Sequence, residues 1–77
     1  MRDNDRIWIA IGRVADMHGL SLSGLAKECG LDATAFNKCK YYGPNGKQHW
    51  PSTSTLSKVV RTMNMTPLQF ARLIPWD

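Results

Sequence analysis

Hydrophobic residues recur with a helical period in five stretches of the chain, and glycines, prolines and polar residues separate these stretches. In the first stretch the apolar positions are spaced by four, three and four residues, which is the spacing of one helix face. Aspartate and asparagine at residues 3–5 suit a helix start, and Gly19 suits its end. The pattern predicts a first helix over about residues 4–18, with a face formed by Ile7, Ile11, Val14 and His18.

Two short helices are predicted next, on either side of a glycine. Ser21 can cap the second helix, which ends at Gly30, and Asp32 can cap a third helix that covers Ala33 to Lys40. Because Gly30 can adopt a positive φ, it can reverse the chain within a turn of about 3–4 residues. The positions of this pair that face the core are predicted to be Leu22, Leu25, Ala26, Cys29, Phe36 and Cys39.

A loop over residues 42–51 follows, because its two prolines and two glycines exclude a continuous helix. The dipeptide Asn45-Gly46 favours the tip of a small hairpin. The strands beside it would be very short, so no sheet is predicted. Trp50 is predicted to fill the core at the junction with the next helix.

Two more helices complete the prediction. Ser52 or Thr53 can cap the fourth, and Thr66 followed by Pro67 can begin the fifth, which ends before Pro75. Their apolar positions are Leu56, Val59, Val60 and Met63 in the fourth helix and Leu68, Phe70, Ala71, Leu73 and Ile74 in the fifth.

These elements predict an all-α fold, a compact five-helix bundle that forms a single domain over residues 1–77. A chain of 77 residues has enough apolar surface for one modest core. Its 43% hydrophobic and 21% charged residues are typical of globular proteins. No apolar run approaches the roughly 20 residues that span a bilayer, and the N-terminus lacks a signal-peptide pattern. The sequence therefore predicts a soluble, cytoplasmic protein.

Metal binding and catalysis are not indicated. Cys29 and Cys39 are predicted to be reduced thiols in or near the core, because small domains held together by disulfides usually carry four or more cysteines. His18 and His49 stand apart from any zinc-ligand spacing. The sequence contains no carboxylate pair, catalytic triad or phosphate-binding glycine loop of the required spacing. We expect no metal, no cofactor and no enzymatic activity.

The net charge of +4 is modest, but the charges are distributed unevenly. Every acidic residue except Asp77 lies at or before Asp32. This distribution should attract a polyanion to the second half of the chain, although a solvated basic surface explains it equally well. The charged residues between 33 and 76 are Lys38, Lys40, Lys47, Lys58, Arg61 and Arg72.

The segment LSGLAKECGLDATAFNK, residues 22–38, has a small alanine, a turn glycine and apolar positions at fixed offsets around Gly30. In these features it resembles the helix-turn-helix superfamily, and more closely its lambda-repressor-like (Cro-type, XRE) branch. A longer stretch, from GLSLSGLA at residue 19 through WPST at residue 50 to Leu56, is similar to the N-terminal domains of phage-type repressors that carry a C-terminal S24 (LexA-like) peptidase domain. The resemblance covers roughly residues 5–74.

The resemblance implies a sequence-specific transcriptional regulator, more often a repressor than an activator, that binds double-stranded DNA through a helix-turn-helix at about residues 22–41. Such proteins commonly bind palindromic operators as homodimers. No serine-lysine protease domain follows within these 77 residues, which implies either a stand-alone regulator or a part of a longer repressor. Ile74 and Trp76 are predicted to be exposed residues of a dimer interface.

Roles at DNA are carried over by position. Asn37 has the bidentate amide that suits adenine, and Ala33 and Thr34 can contact a thymine methyl group. Residues with hydroxyl groups, long cationic side chains or imidazole are assigned to phosphates, and Tyr41 is equally suited to capping the core. The predicted base contacts are Ala33, Thr34, Asn37 and Lys38, and the predicted phosphate contacts are Ser21, Ser23, Lys40, Tyr41, Lys47, His49 and Lys58.

Two other functions fit the same helical pattern. The domain could be a protein-interaction module that binds a partner through the end that carries Trp76. It could also be an antitoxin-like domain that binds both DNA and a protein.

Overall fold

The computed structural model describes residues 2–37 and 41–76, apart from the side chain of Pro44. Within these ranges the chain forms four α-helices and no β-strand, which confirms the predicted all-α class. The Cα radius of gyration is 11.8 Å, close to the value of about 11.5 Å expected for a compact chain of this length. The helices are α1 (Asp3–Met17), α2 (Leu22–Glu28), α3 (Thr53–Thr62) and α4 (Pro67–Arg72).

The core forms around α1, whose buried face packs against α2 and α4. The apolar spacing in the sequence predicted the bounds of the helix to within one residue, and Ile11 and Val14 of the predicted face are buried. Ile7 is only half-buried and His18 is exposed, so the rest of that predicted face is wrong. Partly buried residues of α3, α4 and the turns enclose the cluster. The buried hydrophobic residues are Trp8, Ala10, Ile11, Val14, Ala15, Leu25, Ala26, Cys29, Phe36, Val59 and Phe70.

Polar side chains cap the starts of three helices as predicted. The hydroxyl of Ser21 accepts a hydrogen bond from the Gly24 amide at the start of α2, and Ser52 does the same for Thr55 in α3. Thr66 and Gln69 form a reciprocal capping box at the start of α4. These bonds satisfy amide groups that lack partners in the first turn of a helix.

The start of α1 differs from the prediction. Its N-cap is Arg2, which makes no side-chain capping bond. Asn4, predicted to be a capping or first-turn residue, is completely buried and bonds to a distant part of the chain. Its role is therefore tertiary.

The predicted third helix, Ala33 to Lys40, is not formed over its described part. Residues 33–36 form turns, in which Ala35 donates to the Asp32 carbonyl and Asn37 to the Thr34 carbonyl, so the spacing is three residues. An Asp32 carboxylate oxygen accepts from both the amide and the hydroxyl of Thr34, at 3.0 Å each. Such local bonds offer the backbone an alternative to an α-helix. The predicted count of five helices is therefore wrong for the described residues, and the remainder of this helix, residues 38–40, lies outside them.

Two glycines provide a matched test of the backbone. Gly30 has a φ of +73°, whereas Gly12 lies inside α1, and an added Cβ would meet no atom within 4 Å at either position. Gly30→Ala should destabilise the domain by about 1–2 kcal/mol, the cost of a left-handed conformation for an L-residue. Gly12→Ala should stabilise it by about 0.5–1 kcal/mol, because alanine loses less entropy in a helix. Urea denaturation monitored by circular dichroism measures both changes in the free energy of unfolding. Equal effects of the two substitutions would contradict the turn assigned to Gly30.

Candidate nucleic-acid interface

Residues 41–49 fold back on themselves as a small hairpin. Tyr42 and Gln48 form an isolated antiparallel bridge, and the Gly43 amide donates to the Lys47 carbonyl at 2.7 Å. The chain reverses at Asn45 and Gly46, whose φ angles are +65° and +71°. Asparagine and glycine adopt positive φ angles more readily than other residues. The reversal at Asn45 and Gly46 confirms the predicted hairpin tip.

Two buried side chains of α1 hold the open end of this hairpin. The amide nitrogen of Asn4 donates to the carbonyls of Tyr41, at 2.8 Å, and His49, at 3.1 Å. The indole nitrogen of Trp8 also donates to the His49 carbonyl, at 3.0 Å. Asn4 and Trp8 are four residues apart and so lie on one face of the helix. We call this pair the Asn4–Trp8 clamp.

The side chain of Tyr41 belongs to the core. Its ring stacks on Trp8 with a centroid distance of 4.8 Å and an interplanar angle of 14°. Burial raises the pKa of the Tyr41 phenol, with a smaller contribution from Asp5. Of the two roles that the sequence left open for Tyr41, its ring performs the packing role, and its assignment to phosphate stays a prediction for the hydroxyl.

The outer part of the hairpin is attached to the first turn of α1. The Tyr42 hydroxyl donates to the Asp5 carboxylate at 2.6 Å, which raises the pKa of the phenol. The Arg2 guanidinium lies over the Tyr42 ring, 5.2 Å from its centroid, and donates to the Gly46 carbonyl. The hairpin therefore contacts α1 at both its base and its tip.

The free side chains of the hairpin are polar and cationic. A shallow cleft of about 260 Å³ is lined by Gly43, Lys47, Gln48 and His49, and none of these is acidic. The side chains of Lys47, Gln48 and His49 are exposed and make no hydrogen bond or ion pair with the described residues. Trp50, which follows them, is 51% exposed, so the prediction that it fills the core is wrong. A loop-helix junction can be sealed by other residues, and here Trp8 and Tyr41 already pack beneath the hairpin.

The segment at residues 33–37, which is predicted to contact base edges, is anchored in the core by the ring of Phe36. Phe36 is 1% exposed and belongs to the core cluster, whereas Thr34 and Asn37 are exposed and Ala33 is half-buried. The Thr34 hydroxyl donates a hydrogen bond to Asp32, so its oxygen lone pairs and its methyl group remain available to a ligand. The Asn37 side chain makes no hydrogen bond with the described residues.

The other predicted contacts lie on other elements or outside the described residues. Ser21 and Ser23 are exposed at the start of α2, where the Ser21 oxygen already accepts the capping bond. Lys58 is half-buried on α3. Lys38 and Lys40 lie outside the described residues.

The two predicted dimer-interface residues differ in exposure. Ile74 is half-buried against the core, so the prediction that it is exposed is wrong, whereas Trp76 is 60% exposed. Arg6 holds this end of the chain, because its guanidinium donates to the Pro75 carbonyl and lies 5.4 Å from the centroid of the Trp76 ring. Arg13 donates to the Leu73 carbonyl at 2.9 Å.

An open groove of about 670 Å³ runs between α3 and α4. Arg61 is its one charged residue among the described residues. The other lining residues are Thr53, Leu56, Ser57, Val60, Asn64, Met65, Pro67 and Phe70.

Cys29 is a buried free thiol, as predicted, and Cys39 lies outside the described residues. Burial raises the pKa of the Cys29 thiol, against an opposing hydrogen bond with Thr62. The described residues contain no cluster of metal-ligating side chains and no helix long and apolar enough to cross a bilayer.

Reasoning from the sequence missed three residues of this surface. Gln48 is an uncharged residue in a loop, and nothing in its neighbours indicated a role. Asn4 looked like a helix-capping residue, and Arg2 like an ordinary terminal charge. The one available signal was the spacing of Asn4 and Trp8, which places two hydrogen-bond donors on the apolar face of the first helix.

No family model matches the chain, no curated protein is significantly similar to it, and no solved structure matches it at a significant level.

Proposed function

We propose that this chain is a sequence-specific, double-stranded DNA-binding domain of a helix-turn-helix transcriptional regulator, acting as a repressor of the phage type. The proposal includes the lambda-repressor-like arrangement, with residues 33–37 in the place of the start of the recognition helix. It also includes binding as a homodimer to a palindromic operator, which the symmetry of such sites would require.

One observation carries the proposal. Thr34 and Asn37 are exposed on a segment that is fixed to the core by Phe36, directly after the glycine turn that joins it to α2. A rigidly held amide can make the paired hydrogen bonds that distinguish adenine from other bases. The hairpin that follows at residues 41–49 carries the free side chains of Lys47 and His49, which suit the phosphates that flank a base contact.

The charge distribution adds support of a different kind. The acidic residues near the hairpin are already engaged, since Asp5 accepts from Tyr42 and Asp3 pairs with Arg6 at 3.6 Å. Lys47 makes no such pair with the described residues. A surface whose cations are unpaired gains more from meeting phosphate than one whose cations already have partners.

Salt dependence tests duplex binding independently of sequence. The logarithm of the association constant for a duplex should fall against the logarithm of salt concentration with a slope of about −0.9 for each phosphate contacted. Lys47→Ala should reduce the steepness of this slope by about 0.9 on every duplex. Lys27→Ala, an exposed lysine at the end of α2 outside the proposed surface, is the matched control and should leave the slope unchanged. Fluorescence anisotropy with a labelled duplex measures all three proteins, and equal slopes for Lys47→Ala and the unmodified chain would remove Lys47 from the interface.

A protein-interaction module is the second candidate, and the groove between α3 and α4 favours it. An apolar groove of this kind can hold the apolar face of a helix. Because Arg61 is the charged lining residue, the partner should carry a carboxylate beside its apolar positions. This function predicts no duplex binding above that of an unrelated basic protein, so a comparison of the two duplex affinities at the same salt concentration separates the two candidates.

A further inference from the structure

The Asn4 side chain supports an exposed hairpin from within the core. It is completely buried, and both of its amide hydrogens are directed to the hairpin, one to each end. Its side-chain oxygen is also buried and has no hydrogen-bond partner among the described residues. A buried acceptor without a partner carries a desolvation cost. The two hydrogen bonds of Asn4 fix the positions of the two ends of the hairpin.

The tip is fixed by separate contacts. Arg2 donates to the Gly46 carbonyl at 3.0 Å at the tip, and Tyr42, next to the open end, donates to Asp5. The hairpin is therefore held at its base by the buried donors Asn4 and Trp8 and at its tip by the exposed donor Arg2. A loop held in this way loses less conformational entropy on binding than a free loop would.

The cleft on this hairpin suits one phosphate group. Lys47 supplies a compact positive charge, Gln48 an amide donor and His49 a ring nitrogen, and all three are free to contact a ligand. The lining residues include no carboxylate that would repel an anion. The His49 carbonyl that the clamp holds belongs to a residue that lines the cleft.

We propose that the Asn4–Trp8 clamp presents the hairpin as a preformed second contact to DNA, in which Lys47, Gln48 and His49 bind one backbone phosphate. Asn4 is a positioning residue in this arrangement and touches no nucleotide. The inference rests on the proposed function, since the phosphate is that of the bound duplex. It adds Gln48 to the interface and gives the first turns of α1 a role in binding.

Asn4→Leu tests the clamp, because leucine has the same number of side-chain heavy atoms as asparagine but no hydrogen-bonding group. Both carbonyls keep another donor in this variant, because His49 donates to Tyr41 and Trp8 donates to His49. The change also removes the buried oxygen that has no partner. The variant should therefore remain folded while the hairpin loses its connection to Asn4.

The first measurement needs no DNA. Amide hydrogen exchange of the unbound chain should be faster in Asn4→Leu at Gly43 and His49, whose amides donate within the hairpin, than in the unmodified protein. Val59→Ala, a substitution of a fully buried residue on α3, serves as the control for a general loss of stability and should leave the difference between hairpin and core amides unchanged. Unchanged protection of Gly43 and His49 in Asn4→Leu would overturn the clamp, whatever the protein binds.

The second measurement is the salt dependence of binding to a duplex. Asn4→Leu should reduce the steepness of the slope by about 0.9, as Lys47→Ala does, and should leave the base preference unchanged. Adding Asn4→Leu to Lys47→Ala should produce no further reduction, because the same phosphate contact is already lost. A wild-type slope in Asn4→Leu, or an equal reduction in Val59→Ala, would overturn the inference while leaving the proposed function intact. Failure of the unmodified chain to bind any duplex would instead overturn the proposed function, and the exchange result would still stand.

Discussion

Phe36→Ala should destabilise the domain by about 3–5 kcal/mol, the range observed when a buried phenylalanine is reduced to alanine. Phe36 is 1% exposed and among the largest fully buried side chains of the described residues. A domain of this length has a total stability of about 4–12 kcal/mol, so the loss is a large part of it. Urea denaturation at low temperature measures the difference.

Phe36→Ala should also weaken sequence-specific binding to DNA. Phe36 is the buried anchor between Thr34 and Asn37, so its loss should release the segment that we assign to base contacts. Phe36→Leu is the matched control, since it keeps an apolar side chain and should cost less. A loss of under 1 kcal/mol in Phe36→Ala would show that this segment is not packed as described.

Asn37→Ala should weaken binding to the preferred duplex by about 1–3 kcal/mol and relax the preference at one base pair. The physical reason is the loss of a bidentate amide, and the fold should be unaffected because the side chain is exposed and makes no hydrogen bond with the described residues. Competition anisotropy against duplexes with single base changes measures both effects.

Asn64→Gly is a suitable control for that experiment. Asn64 is also exposed, has a φ of +54° and lines the groove between α3 and α4. Glycine tolerates this conformation, so the change removes an amide group without straining the backbone. It should leave DNA affinity unchanged, and equal losses for the two variants would remove the base contact from Asn37.

The helices and their ends could be predicted because their causes are local. The spacing of apolar residues indicated α1, Ser21 and Ser52 capped their helices, and Gly30 has the positive φ that the turn requires. In each case the determining bond or conformation joins residues within four positions of one another. A pattern in the sequence contains that information directly.

The turns at residues 33–36 show where local reasoning was insufficient. Asp32 was predicted to cap a third helix, but its carboxylate accepts both the amide and the hydroxyl of Thr34, and turns follow in place of a helix. The competition between such a turn and a helix depends on small differences in energy. An apolar period of three to four residues fits both, and so the sequence alone favoured the longer helix.

The candidate site was only partly predictable for a different reason. The tip of the hairpin followed from Asn45-Gly46, but its attachment to α1 joins residues 37 and 45 positions apart. The spacing of Asn4 and Trp8 places Asn4 on the apolar face of α1, but no pattern in the sequence indicates that its partners are Tyr41 and His49. The exposure of Trp50 has the same origin, because the space beneath the hairpin is filled by Trp8 and Tyr41.

The most direct test of the central claim is selection of binding sites from a pool of duplexes with a random central region. We predict that the unmodified chain enriches one motif, and that Asn37→Ala enriches the same motif with one position relaxed. Lys47→Ala should enrich it without any change in preference, at lower affinity. Recovery of no motif by the unmodified chain, under salt conditions in which it binds duplex, would contradict sequence-specific recognition by this surface.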